Sequence, residues 1–143
     1  MPGMTLTQEE LALIRESLVA LKPGYQTHSV TFYEKLFAQA PQLRSMFRED
    51  LAGQGMKFMT TLDAIIHKLD DAEAMSTHYA GLGPMHASLN IKASDFPPMR
   101  AALLDTMRGA LGDGFTPALE TAWRRAFDEV AAGMIRSGGI KAG

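Results

Sequence analysis

Tyr33, Gln54 and His86 are the residues of this sequence best placed for chemistry, because each puts a polar side chain on a helical stripe whose other members are apolar. Tyr33 lies between Val30 and Phe37. Gln54 stands four residues before Phe58 and eight before Leu62. His86 falls in the run Met75, Tyr79, Leu82, His86, Leu89, with spacings of four, three, four and three. Burying such a group costs about 1 to 3 kcal/mol unless it is hydrogen-bonded. Each has an ordinary explanation by itself: a carbonyl satisfies the imidazole, the phenol reaches the surface, the amide is solvated at a helix start. An imidazole on a buried face can also take a carboxylate or a metal ion. Three such groups on three consecutive long helices point to one shared site.

The elements that position them are all helical. Thr7-Gln-Glu-Glu10 has the form of a capping box, with Leu6 and Leu11 at the two staple positions, and opens a helix running to about Leu21. Lys22-Pro23-Gly24 ends it. A second helix runs from about Tyr25 to Gln39 with Val30, Tyr33, Leu36 and Phe37 on its apolar side, and Ala40-Pro41 restarts the chain in a short turn through Leu43 to Phe47. The polar, glycine-bearing stretch between Arg48 and Gly55 reads as a loop feeding a helix that carries Phe58, Leu62, Ile65, Ile66 and Leu69. Asp70-Asp71 breaks it before the histidine-bearing run. Ser94-Asp95 begins another helix, with Pro97 and Pro98 in its first turn and Gly112-Asp-Gly114 at its end. Thr116-Pro117 opens the last, with Leu119, Trp123, Phe127, Val130 and Met134 on one face. No segment alternates with period two over a strand's length, so the predicted fold is all-α, with about seven to eight helices in a single domain over residues 1–143.

Composition narrows the function. Hydrophobic residues make up 46% and charged residues 21% of the 143, the balance of a globular protein. Fourteen Lys and Arg against sixteen Asp and Glu leave a net charge of -2, spread along the chain, which argues against a nucleic-acid surface. No run approaches the ~20 apolar residues that cross a bilayer. There is no cysteine, so disulfides, thiolate metal sites and a cysteine nucleophile are excluded. The N-terminus carries neither a basic region nor an apolar core of signal-peptide length, and a cytoplasmic location is expected.

The chain resembles the globins, and within them the bacterial single-domain globins and the haem domain of flavohaemoglobins. The resemblance covers about residues 5 to 136. It rests on the order and spacing of Thr31-Phe-Tyr33-Glu-Lys-Leu-Phe37, Pro41-Gln-Leu-Arg-Ser-Met-Phe47, Leu82-Gly-Pro-Met-His86, Ile91-Lys92 with Phe96-Pro97, and Ala122-Trp123 with Ala126-Phe127. It implies a haem b globin with His86 as the proximal ligand of the iron, Phe47 packed flat on the porphyrin, and Tyr33 and Gln54 as the distal pair. Phe58 takes an apolar distal position usually held by a smaller aliphatic residue and should narrow access to the iron. Lys57 resembles the basic residue that reaches a haem propionate, with a solvated lysine as the alternative, and Ile91 resembles a wall residue of the pocket.

These roles are physically coherent. One imidazole leaves the opposite iron position open to a diatomic gas. Bound dioxygen carries partial negative charge that a phenol and an amide stabilise in a dry pocket, whereas carbon monoxide gains much less. Tight, reversible dioxygen binding is the expected function. The alternatives are nitric oxide dioxygenation with an external reductase, a gas sensor working through an oligomer contact, and a helical domain with no cofactor.

Two departures weaken the enzyme reading. In flavohaemoglobins a tyrosine and a glutamate flank the proximal histidine and make it more electron-donating; here the matching positions are Phe96 and Gly138. The chain also stops at Gly143 with no dinucleotide motif, so turnover would need a separate reductase. The sequence leaves open a monomer or a homodimer.

The other candidates have plainer readings. His28 and His67 are expected on solvated faces, while His78, eight residues before His86, is the reserve ligand. Methionines such as Met56, Met59, Met85 and Met99 fill core and pocket, and Trp123 is a packing residue of the last helix.

Overall fold

The computed structural model describes the backbone of residues 6–46, 51–88 and 91–140; the side chains of residues 45, 46, 51–56, 58, 72, 86 and 88 lie outside the described set. Within these limits the chain is helical throughout, with no strand among the described residues. Six α-helices carry the fold: α1 (Gln8–Leu21), α2 (Tyr25–Gln39), α3 (Leu51–His67), α4 (Ala72–Ser88), α5 (Phe96–Leu111) and α6 (Pro117–Gly138). Four short 3-10 turns, Lys22–Gly24, Pro41–Met46, Ala93–Asp95 and Gly112–Gly114, complete the count.

Local chemistry sets most of the boundaries. The Thr7 hydroxyl accepts from the Glu10 backbone N–H at 3.1 Å while the Glu10 carboxylate accepts from the Thr7 N–H at 3.0 Å, so two of the orphan donors that open α1 are satisfied reciprocally. Leu6 and Leu11 are both buried, as the staple requires. Thr116 caps α6 by accepting from the Leu119 N–H at 3.2 Å. Gly139, at φ +62°, closes the same helix in the left-handed conformation.

Two expectations are corrected. The stretch read as a loop is in part the first turn of α3, which begins at Leu51, so Gln54 and Gly55 are helical. The two glycines at 53 and 55 weaken the local helix signal, since each costs about 1 kcal/mol against alanine, but the apolar stripe downstream carries the helix through them. Val30, placed on the apolar side of α2, is 40% exposed; the buried stripe of that helix runs instead through Tyr25, Ser29, Phe32, Tyr33 and Leu36.

α2 packs against α3 and α5, α4 against α6, and α1 against α6, α3 and α5. Polar ties fix several of these crossings. The Trp123 indole of α6 donates to the Ser17 hydroxyl of α1 at 2.9 Å, and that hydroxyl donates to the Ile14 carbonyl at 2.6 Å, leaving neither buried group unmatched. Arg15 of α1 donates to the Ile66 carbonyl at 3.2 Å and to the Asp70 carboxylate at 3.2 Å, where the last carbonyls of α3 need donors. The Tyr25 hydroxyl donates to Asp63 at 2.8 Å, and Asp63 also meets His67 at 2.7 Å.

Candidate functional site

A cavity of about 340 Å³ opens among α2, α3, α4, α5 and α6, within the size range of a small-molecule or cofactor pocket. Its deep end is aromatic and aliphatic: Phe32, Leu36, Ile66 and Trp123, each 2% exposed or less, form part of its lining. Its rim carries exposed Lys57 from α3 and Met85 from α4, the latter 47% exposed. The cavity is thus apolar at depth, with a cation on the rim.

Tyr33 is a polar side chain set into that largely apolar wall. It is 5% exposed. Its ring stacks on Phe37 with centroids 5.8 Å apart and tilts against Phe32 at 5.2 Å, so its orientation is held from both sides. Arg44 lies 5.4 Å over the Phe37 ring and extends that stack outward. Burial pushes the Tyr33 phenol up to about 12. Across the physiological range it is therefore protonated, and its hydroxyl is a hydrogen-bond donor in the wall of the cavity.

A pH prediction follows from this shift. The folded value lies above the unfolded one near 10, so the native state holds the proton more tightly than the unfolded chain. The stability contributed by this group is complete below about pH 10 and is lost as pH rises through about 12. In a spectrophotometric titration of native protein all three phenols, Tyr25, Tyr33 and Tyr79, should ionise above the ordinary value near 10, Tyr25 later than Tyr33, and Tyr33→Phe should remove the one-phenol step near pH 12. A Tyr33 phenol that ionises near pH 10 in the native state would be open to solvent and would exclude its place in a dry wall.

Of the residues singled out in the sequence, Tyr33, Lys57 and Ile91 come together on this cavity. His86 and Gln54 lie in the described backbone of α4 and the first turn of α3, but their side chains, like that of Phe58, fall outside the described residues; Phe47 does so entirely. Leu82 and Met85, on the turn of α4 leading to His86, line the cavity, and His78 is not among its described lining. The reading of His67 holds, with a side chain 55% exposed; His28 is half-buried, its ring against Gly24. Among the described residues no group of three or more His, Asp or Glu side chains is placed to hold a bare metal ion.

Sequence reasoning missed part of the wall. Trp123, read only as packing, also lines the cavity, as do Phe32 and Met134. The signal available was the helical stripe itself, which marks a residue as inward-facing without saying whether it meets the core or a pocket. Phe96, at the position where the resemblance has a tyrosine, is buried and lines the cavity with a hydrocarbon ring. Gly138 is not in the described lining; it meets α4 by backbone contact.

The family model described as Globin matches residues 30–134, a span from the middle of α2 to near the end of α6 that contains every wall of the cavity. The chain belongs to the globin family. This globin is 29% identical over 133 residues to a protein named Flavohemoprotein from Deinococcus radiodurans, covering 91% of the chain and 33% of that protein. It is 28% identical over 139 residues to a Flavohemoprotein from Halalkalibacterium halodurans, covering 95% of the chain and 34% of that protein. It is also 26% identical over 145 residues to Neuroglobin-2 from Oncorhynchus mykiss, covering 92% of the chain and 91% of that protein. The chain therefore spans about a third of the length of the two flavohemoproteins. As a globin it is a haem-binding protein, and no described helix is long and apolar enough to cross a membrane.

The cavity suits such a group. Haem is a flat apolar macrocycle with two carboxylates on one edge, and the lining offers hydrocarbon surface at depth with Lys57 at the rim.

Proposed function

We propose that this globin takes haem b into the cavity with His86 as the axial ligand of the iron and binds dioxygen reversibly and tightly, as a store or carrier. The haem supplies the iron centre at which a gas binds. The residues of the chain do the rest. Tyr33, buried and protonated, donates a hydrogen bond to the gas, and Gln54, one turn into α3, is the second donor. Lys57 meets a propionate at the rim, Ile91 closes a wall, and Phe47 and Phe58 take the flanking positions that the globin resemblance gives them. Phe32, Leu36 and Trp123 keep water away, which strengthens each hydrogen bond made inside.

The observation that carries this reading is the Tyr33 phenol, held protonated in the wall of a large apolar cavity. Its test is the rate of dioxygen release. Losing a hydrogen bond worth about 1 to 1.5 kcal/mol speeds dissociation by about one order of magnitude. Tyr33→Phe is expected to do so in stopped-flow measurements while leaving carbon monoxide release nearly unaltered. An unchanged dioxygen rate rules out the donor role. Purified protein that shows no Soret band after haemin addition rules out the haem.

Nitric oxide dioxygenation with a separate reductase is the second reading, favoured by the likeness to flavohemoproteins. Phe96 in the cavity wall offers no hydrogen bond through its side chain to make an axial imidazole more electron-donating. Sustained nitrate production with a reductase and a nicotinamide donor would establish this activity; a single stoichiometric burst would not.

A further inference from the structure

The contact between α4 and α6 is made by glycines on both sides. A Cβ at Gly83 would meet the Gly138 amide nitrogen at 2.7 Å and the Met134 carbonyl oxygen at 2.9 Å. A Cβ at Gly138 would meet the Gly83 carbonyl oxygen, with the Gly83 Cα at 3.0 Å. All of these are backbone atoms, so no rotamer change relieves them. Farther along α6, a Cβ at Gly133 would collide with the Tyr79 ring of α4. Tyr79 is seated there with its hydroxyl held protonated by burial and by the Glu129 charge, against the opposing effect of Arg136. Tyr79 and Gly83 are one turn apart, and Gly83 is one turn before His86. By contrast, a Cβ at Gly81, in the same helix, would meet nothing within 4 Å.

We propose that Gly138 is a positioning residue of the haem site: by letting the α6 backbone lie directly on Gly83, it sets the depth of the turn that leads to His86 and closes the space a carboxylate from α6 would need. The inference rests on the haem reading above and adds a reason for one of its features. The flavohaemoglobin resemblance puts a glutamate at position 138, and here the Gly83 backbone lies where the Cβ of such a side chain would stand. A side chain at 83 or 138 therefore requires the two backbones to shift apart, and on this proposal the turn that carries His86 shifts with α4.

The test uses the haem-reconstituted full chain as wild type, Gly138→Ala, Gly83→Ala, Gly138→Glu and Gly81→Ala. Three measurements are made: the rate of haem transfer to excess apoglobin, the iron–imidazole stretching band of the ferrous unligated form, and the melting temperature of the apoprotein. Gly138→Ala and Gly83→Ala should release haem about 10-fold faster, the lower end of the loss seen when a group supporting a metal ligand is altered, and should shift or broaden the band. Their apoproteins should melt lower than wild type. Gly81→Ala should match wild type in both haem measurements and melt no lower. Gly138→Glu should weaken haem retention without raising the band frequency. A higher frequency in Gly138→Glu would show that the carboxylate reaches the imidazole and would overturn the proposal. So would wild-type haem release and an unshifted band in Gly138→Ala, which together would leave the contact purely structural. If Gly138→Glu does not fold, the two alanine variants decide the matter. A wild-type chain with no Soret band fails the haem reading itself, whereas a wild-type Soret band with indifferent alanine variants fails only this inference.

Discussion

His86→Ala is expected to strip the protein of stable haem. Altering groups that merely orient a metal ligand costs about 10- to 100-fold in affinity, so deleting the ligand itself should exceed roughly 100-fold in haem retention. The fold should survive, because α4 is held on α6 by Tyr79 and Gly83, neither of which the substitution touches. Haem transfer to an apoglobin acceptor reads the loss, and far-ultraviolet circular dichroism checks the helices. Millimolar imidazole should restore a normal absorption spectrum if the missing group is an axial ligand and not a packing contact. A variant that retains haem with the wild-type spectrum would exclude His86. His78 would then be the next residue to replace, although the described cavity lining includes Leu82 and Met85 of the same helix and not His78.

Trp123→Ala should be the most destabilising single change in the core. The indole is 1% exposed and lies across the interior from α1. Replacing a buried Trp by Ala costs about 3 to 5 kcal/mol through lost burial and the void left behind. At this chain length that lowers the melting temperature by about 10 °C or more. Here the void also joins the cavity, because Trp123 forms part of its wall. Trp123→Phe separates the contributions: most of the packing stays and the bond to Ser17 is lost, for about 1 kcal/mol. Thermal or urea unfolding of both variants, with and without haem, measures the difference. A loss below about 1 kcal/mol for the alanine variant would mean that the site collapses around the gap.

The helices were legible in the sequence where their ends are chemical. Thr7 with Glu10, Pro23, and Thr116 with Pro117 each satisfy or remove a backbone donor locally, so neighbours in sequence are enough to place them. The start of α3 was not, because Gly53 and Gly55 carry a loop's composition into a helix held by its downstream face. Tyr33 was legible as a buried polar group, and the structure adds the Phe32 and Phe37 rings that hold it and the cavity it lines. Trp123 and Ser17 are separated by 106 positions, and nothing local in either names the other. The same is true of Gly83 and Gly138. A glycine in a helix reads as a small penalty until the opposing backbone is in view, and only then does its missing side chain become a requirement.

Among the described residues, Arg15 and Tyr25 tie the C-terminal half of α3, at Ile66, Asp70 and Asp63. At 1.5 Å per residue, the Gln54 backbone lies about 18 Å along the axis from Ile66. A tilt of about 5° at Ile66 carries the first turn through about 1.6 Å over that distance, half the length of a hydrogen bond. By geometry alone, a small change in helix direction set near Arg15 grows along the axis toward Gln54, the residue proposed above as the second donor.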